Sequence, residues 1–221
     1  MSMGMTKAPP ATPQQQPAWR LIAMMTVMGG IAGALIVSVY QATLPRIEHH
    51  KGEVIRQAVQ EVLKAPASFD TLYAYNGALV KALPAGTPTK DLEKVYLGHD
   101  RDGRRIGFAI THTENGFQDP VTVTFGYDAT AHRLFAMQVI SNKETPGLGD
   151  KIVKDSAFVN GFANAATPLT GVKKDRGKSG PADIVMITGA TISSRAVIRI
   201  INDAIARWQP LLDAYHEEAK P

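Results

Sequence analysis

Pro120-Val-Thr-Val-Thr-Phe-Gly126 alternates apolar residues with threonine almost strictly. A period of two is that of a β-strand, with one face buried and the other wet. Working outward, Arg105-Ile-Gly-Phe-Ala-Ile-Thr111 and Val95-Tyr-Leu97 precede it, and Leu134-Phe-Ala-Met-Gln-Val-Ile140 follows. All are short and rich in β-branched or aromatic residues. Arg101-Asp-Gly103, Glu114-Asn-Gly116 and Asp128-Ala-Thr130 supply turn signals between them, so the spacing predicts an antiparallel meander. Two helical patterns come next. Ser156 to Asn164 gathers Phe158, Val159 and Phe162. Ser194 to Trp208 lines up Val197, Ile198, Ile201, Ala204, Ile205 and Trp208 in one apolar stripe, with Arg195, Arg199, Asn202 and Arg207 outside it. Strands followed by such helices predict an α+β domain, an antiparallel sheet with helices covering one face.

Composition narrows the chemistry. The 221 residues contain no cysteine, which excludes disulfides, thiolate zinc sites, iron–sulfur ligation and c-type haem attachment. The net charge of +4 is spread along the chain, and its densest cluster, Lys173-Lys174-Asp175-Arg176, is interrupted by an acid. No basic stripe or nucleic-acid module is visible, so nucleic acid is not an expected partner. His49-His50 is the only adjacent histidine pair and reads as a solvated patch; no metal site is expected.

Residues 1–18 are rich in Pro, Gln, Ala and Met and read as a flexible tail. From Leu21 to Pro45 the only ionisable side chain is that of Tyr40. The apolar run is long enough to cross a hydrocarbon core, and Trp19 and Tyr40 mark its ends as interfacial rings do. Residues 19–42 are therefore expected to be a single transmembrane anchor. Its orientation is open from charge alone, because Lys7 and Arg20 precede it while Arg46, Lys51 and Arg56 follow. Ile47, Val54, Ile55, Ala58, Val59, Val62 and Leu63 then recur at helical spacing, giving an amphipathic linker helix over 43–66 that starts at Pro45. The main domain is expected at 67–210 and a tail at 211–221.

Two stretches exceed what local structure asks of them. Thr188-Gly-Ala-Thr-Ile-Ser-Ser-Arg195 stands before the last helix. Capping explains hydroxyl residues at a helix start, yet four hydroxyls lie between Thr188 and Ser194, and Gly189-Ala190 leave the backbone accessible. A helix start with small residues is also an anion site. Neither the longer glycine loop nor the lysine of a P-loop is present. Asn142-Lys-Glu-Thr-Pro-Gly-Leu-Gly-Asp-Lys151 follows a strand. Pro146-Gly147 can be a plain turn, while a second glycine at Gly149 also admits a flat ligand against the backbone.

Taken together, Glu144-Thr-Pro-Gly-Leu-Gly149 and Thr188-Gly-Ala-Thr191 before a helix resemble the FMN-binding domain family. The resemblance is nearest to the G-type subunit of the Rnf electron-transport complex and next to the C-type subunit of the sodium-translocating NADH:quinone reductase. It implies FMN joined through its phosphate to Thr191 by a flavin transferase that uses FAD. It also implies a flavin contact at Glu144, Thr145, Leu148 and Gly149, with Thr188, Gly189, Ala190 and Ser193 at the phosphate end. Ser194, Arg195 and Lys151 are further candidates there. On this resemblance the chain is a redox subunit in an ion-translocating complex, single-pass in the inner membrane, its domain facing the periplasm, with other complex subunits as partners. No independent catalytic site is evident. One position departs from the family pattern: an acidic residue usually stands where this chain has Val185, the nearest acid being Asp183. A flavin-free assembly subunit is the alternative that this departure leaves open.

Overall fold

The computed structural model describes residues 17–84, 86–88 and 92–216; of the predicted tails at 1–18 and 211–221, residues 1–16 and 217–221 lie outside them, while residues 211–214 are helical. The chain divides into two units, Met1–Lys51 and Gly52–Pro221. Helix α1 (Ala18–Val62) supplies all the secondary structure described in the first unit, and its last turns belong to the second. Its apolar window has a mean hydropathy of 2.1 and is unburied, so it is long and apolar enough to cross a membrane. The sequence predicts a new helix at Pro45, but α1 runs through that residue. A proline removes one backbone donor, and one missing bond does not end a helix of 45 residues.

The second unit is built on a six-stranded sheet in the order β2-β1-β3-β4-β5-β6, antiparallel throughout. Its strands are β1 (Ser68–Tyr75), β2 (Ala78–Val80), β3 (Lys94–His99), β4 (Arg105–Asn115), β5 (Pro120–Asp128) and β6 (Arg133–Ser141). The short helices α2 (Lys151–Lys154) and α3 (Ser156–Asn160) follow. Then come β7 (Thr170–Val172) and β8 (Asp183–Val185), a small parallel pair, and α4 (Thr191–Ala214). Strands β3 to β6 lie where the sequence placed them. β1 and β2 fall in a stretch of mixed pattern, and the three-residue β7 and β8 are too short to carry any period.

One face of the sheet buries Val95, Leu97, Phe108, Ile110, Val121, Val123 and Phe125 against the stripe of α4. The predicted stripe residues Val197, Ile198, Ile201, Ala204, Ile205 and Trp208 are all buried there. α4 starts three residues earlier than predicted and continues through Pro210, with Leu212 still buried. Asn202, predicted to face away, clamps the Leu169 backbone, accepting from its N–H at 2.8 Å and donating to its carbonyl at 2.9 Å.

The other face was expected to be wet and is instead partly covered by a helix. Val59, Val62 and Leu63, at the end of α1, pack there with Tyr96 and Ala109. Two glycines, Gly98 and Gly126, make that approach possible, and a third, Gly107, makes room for Phe135. A Cβ on Gly98 would stand 2.7 Å from Leu63 Cδ1, one on Gly107 2.6 Å from the Phe135 ring, and one on Gly126 2.3 Å from the Val62 carbonyl oxygen. Thr124 is fully buried on this face, its hydroxyl 2.9 Å from that of its cross-strand partner Thr111. Tyr96, on the same face, has its phenol pushed above the usual range, first by burial and then by Tyr73, with Arg56 opposing.

Gly126 is the tightest of the three contacts and meets backbone, which cannot swing aside. Gly126→Ala is expected to lower stability by about 1–3 kcal/mol, the usual cost of overpacking. Thermal denaturation of the full chain in detergent measures it; an unchanged melting temperature would mean that the end of α1 is free to lift off the sheet.

Candidate cofactor site

The two sequence motifs are brought together by one carboxylate. Glu144 follows β6 and is 4% exposed. Its Oε1 accepts the backbone N–H of Phe117 at 2.8 Å and that of Gln118 at 3.4 Å, while its Oε2 accepts the Ser193 hydroxyl at 2.9 Å. A buried carboxylate needs such donors, because burial without them costs several kcal/mol. The β4–β5 turn, the loop after β6 and the first turn of α4 therefore meet at one side chain. Gly116 and Gly149 leave room for it: a Cβ at either would stand 2.3 Å or 2.5 Å from a Glu144 oxygen. Thr145 adds a second tie, its hydroxyl donating to Gln118 Oε1 at 2.9 Å. Arg199 adds a third, donating from α4 to the Asn115 carbonyl at 2.6 Å.

Around this junction lies a cavity of about 310 Å3, lined by Phe117, Glu144, Thr145, Leu148, Gly149 and residues 189–193. Its size falls in the range of small-molecule sites. Eight of the nine residues proposed from the sequence line it; Thr188 does not and borders a larger cavity next door. Lys151 also lines that larger cavity, and Arg195 is exposed on α4 outside both. The sequence did not single out Phe117, which is 58% exposed although its backbone is pinned by Glu144. An exposed aromatic in the tight Gly116-Phe-Gln-Asp-Pro120 turn was the signal available. With Leu148 at 53% and Ile192 at 54% exposure, Phe117 gives the cavity an apolar rim.

Thr191 is the first helical residue of α4, and no side chain caps Ala190 before it. Ser193 and Ser194 lie inside the first turn. The Ser193 hydroxyl is committed to Glu144; that of Ser194 donates to the Ala190 carbonyl at 2.8 Å and accepts from Ile187 N–H at 3.1 Å. The helical ladder begins at Ser194 N–H on the Ala190 carbonyl, 2.9 Å, so the preceding N–H groups of the first turn precede the ladder. The Thr191 hydroxyl is half-buried on the cavity wall and makes only a long bond, 3.3 Å, to the Ile187 carbonyl. An available hydroxyl, an uncapped helix start and an apolar rim suit a planar, phosphate-bearing group: the phosphate end meets N–H groups and the positive end of the helix dipole.

The loop before α2 has its own pin. Asp150 accepts from the Gly147 N–H at 2.7 Å and from Lys154. The Lys154 ammonium is the main cause that holds its carboxyl below the usual range; desolvation opposes it, and the Gly147 N–H and the nearby Lys151 add to the lowering. Because the folded-state pKa is depressed, this pin is in place above the ordinary carboxylate range and is lost only as pH falls through the lowered value. The Gly147 amide resonance is expected to stay constant through the range where free carboxylates titrate and to move below it. A midpoint at the ordinary aspartate value would show that the pin is not formed.

Replacing Glu144 separates its shape from its bonds. Glu144→Ala leaves the Phe117 and Gln118 N–H groups and the Ser193 hydroxyl without their acceptor, and is expected to cost roughly 2–4 kcal/mol. Glu144→Gln can keep one oxygen on Phe117 and donate to Ser193, for a loss of about 1 kcal/mol. Denaturant unfolding of both variants checks this; equal losses would mean that the hydrogen bonds from Phe117, Gln118 and Ser193 do not account for the stability that Glu144 contributes.

Residues 116–206 match the FMN-binding domain family. The G-type subunit of the ion-translocating oxidoreductase complex of Methanosarcina acetivorans is 26% identical over 186 residues, 84% of this chain and 92% of that protein. The G-type subunit of the sodium-translocating ferredoxin:NAD oxidoreductase complex of Acetobacterium woodii is 28% identical over 87% of this chain and 92% of its own length. Among solved structures, NqrC of Shewanella oneidensis superposes with a TM-score of 0.58 at 16% identity, covering 74% of this chain and 98% of that one, a likeness of fold. The match to the FMN-binding domain covers residues 116–206, which follow in sequence a helix long and apolar enough to cross a membrane.

Proposed function

We propose that this protein is a membrane-anchored electron-transfer subunit that carries FMN esterified through its phosphate to Thr191. It works within an Rnf-type ferredoxin:NAD oxidoreductase complex coupled to ion movement, with the other membrane subunits of that complex as partners. The observation that carries the reading is the half-buried Thr191 hydroxyl at an uncapped helix start, on the wall of the same cavity as the Glu144–Gly149 loop. The match to the FMN-binding domain and the relatives named as G-type subunits support it.

The flavin supplies the redox chemistry when bound. The chain's residues hold and shield it. Thr191 fixes the phosphate as an ester, and the N–H groups at the start of α4 offset its remaining charge. Phe117, Leu148 and Ile192 offer apolar surface to a planar ring. Glu144 keeps Phe117 and Ser193, both on the cavity wall, in place. A flavin transferase would join the phosphate to the Thr191 hydroxyl, with FAD as the donor and AMP and the hydroxyl proton leaving. An ester keeps the flavin on a domain outside the cytoplasm, where a dissociated one diffuses away. The domain accordingly faces the periplasm. The C-type subunit of a sodium-translocating NADH:quinone reductase is the neighbouring alternative, supported by likeness of fold at 16% and 20% identity.

Co-expression with a flavin transferase is expected to give a fluorescent band on a denaturing gel, a mass increase equal to one phosphate-linked FMN, and neither in Thr191→Ala. Val185, where the family pattern usually has an acid, favours a flavin-free assembly subunit as the rival. A wild-type chain that stays dark beside its transferase would establish that rival, and a fluorescent Thr191→Ala would overturn the site.

A further inference from the structure

On the far side of the Thr188–Thr191 turn lies the larger cavity, about 580 Å3. Residues 185–188, the α2–α3 junction and the loop after β7 form its walls. Three lysines, Lys151, Lys174 and Lys178, line it against a single carboxylate, Asp155. That carboxylate is already in use, because it caps α3 by accepting the Phe158 N–H at 3.0 Å. Among the described residues, none of the three ammonium groups has a carboxylate within ion-pairing distance. Lys178 donates to the Gly161 carbonyl at 3.1 Å, which fixes its position and leaves its charge uncompensated.

Three ammonium groups and one carboxylate leave an excess of positive charge around the cavity, which an anion or solvent offsets. The lining is not polar throughout. Phe158, Met186 and Ile187 contribute to it and are 3%, 6% and 8% exposed, so an apolar surface stands beside the cationic rim. The exposed Thr188 hydroxyl and the Asn160 amide add neutral hydrogen-bonding groups. A ligand that satisfies both parts has a compact multiple negative charge and a flat, weakly polar body. Lysine serves such a phosphate as a point charge.

We propose that this cavity is a second binding site, for a phosphorylated small molecule of the nucleoside monophosphate class. It is separate from the Thr191 cavity: Gly189, with φ +83°, turns the chain between them, so that Thr188 faces one cavity and Thr191 the other. The proposal stands on the lysines and the cavity, and does not require that Thr191 carry flavin.

Calorimetric titration of the full chain in detergent at low salt tests it, with AMP as the probe and adenosine as the control. AMP is expected to bind saturably and to weaken as salt screens the lysines, while adenosine binds far less. Lys174→Gln/Lys178→Gln is expected to lose at least tenfold in affinity, which is about 1.4 kcal/mol. Lys174→Gln alone, at an exposed position with no structural bond, should lose part of that with an unchanged melting temperature. Thr191→Ala, which removes the proposed flavin attachment, should leave AMP binding intact. Absence of saturable AMP binding overturns the site, as does equal binding of adenosine or equal affinity in the double lysine variant. Loss of AMP binding in Thr191→Ala would also overturn it, by placing the nucleotide in the other cavity.

Discussion

A carboxylate cannot be taken out of water unless donors replace the water, and much of the candidate site follows from how Glu144 meets that demand. Its two oxygens draw donors from the turn between β4 and β5 and from the first turn of α4. Segments separated by 27 and 49 positions along the chain are thereby held at one point. Withdrawing any one of them leaves a buried charge short of a partner. The wall of the Thr191 cavity is consequently specified by electrostatics rather than by shape alone. The two glycines pressed against that carboxylate, Gly116 and Gly149, are the steric counterpart of the same requirement.

The sheet supplies the platform on which that junction sits. Its apolar face fixes α4 through a long stripe of aliphatic contacts, and this sets where the helix begins. Its opposite face is hollowed by Gly98, Gly107 and Gly126, so the end of α1 comes down to backbone contact. The twofold period of the strands assigns every side chain to one face or the other, and a slip of one residue would exchange them all. The glycines therefore carry register information as well as space.

The start of α4 divides two environments within four residues. Thr188 and Lys151 border a cavity ringed by lysines, while Thr191, Ile192 and Phe117 border one with an apolar rim. The positive φ of Gly189 makes this division possible, because a backbone in that conformation reverses direction at little cost only where there is no side chain. The larger of the two cavities is not the one that gathers the sequence motifs. Volume alone would have pointed to the wrong wall for Thr191.

The sequence by itself determined much of this molecule. Alternation in Val121–Phe125 and helical spacing from Val197 to Trp208 gave the central strands, the last helix and the face each buries, since burial imposes the period of the backbone on the side chains. The unbroken apolar run gave the N-terminal helix, and the two motifs gave all the residues around the Thr191 cavity except Phe117 and Ile192. Tertiary structure alone decided the rest. Phe117 joins the site because Glu144, 27 positions away, holds its backbone. Ser193 serves the carboxylate instead of capping the helix, and Thr188 faces a different cavity. The second face of the sheet is covered because Gly98 and Gly126, far apart in sequence, leave room there for Leu63 and Val62. Local pattern records which face a residue turns to its own element. Which distant donor meets a buried charge depends on how those elements pack, and no local period encodes it.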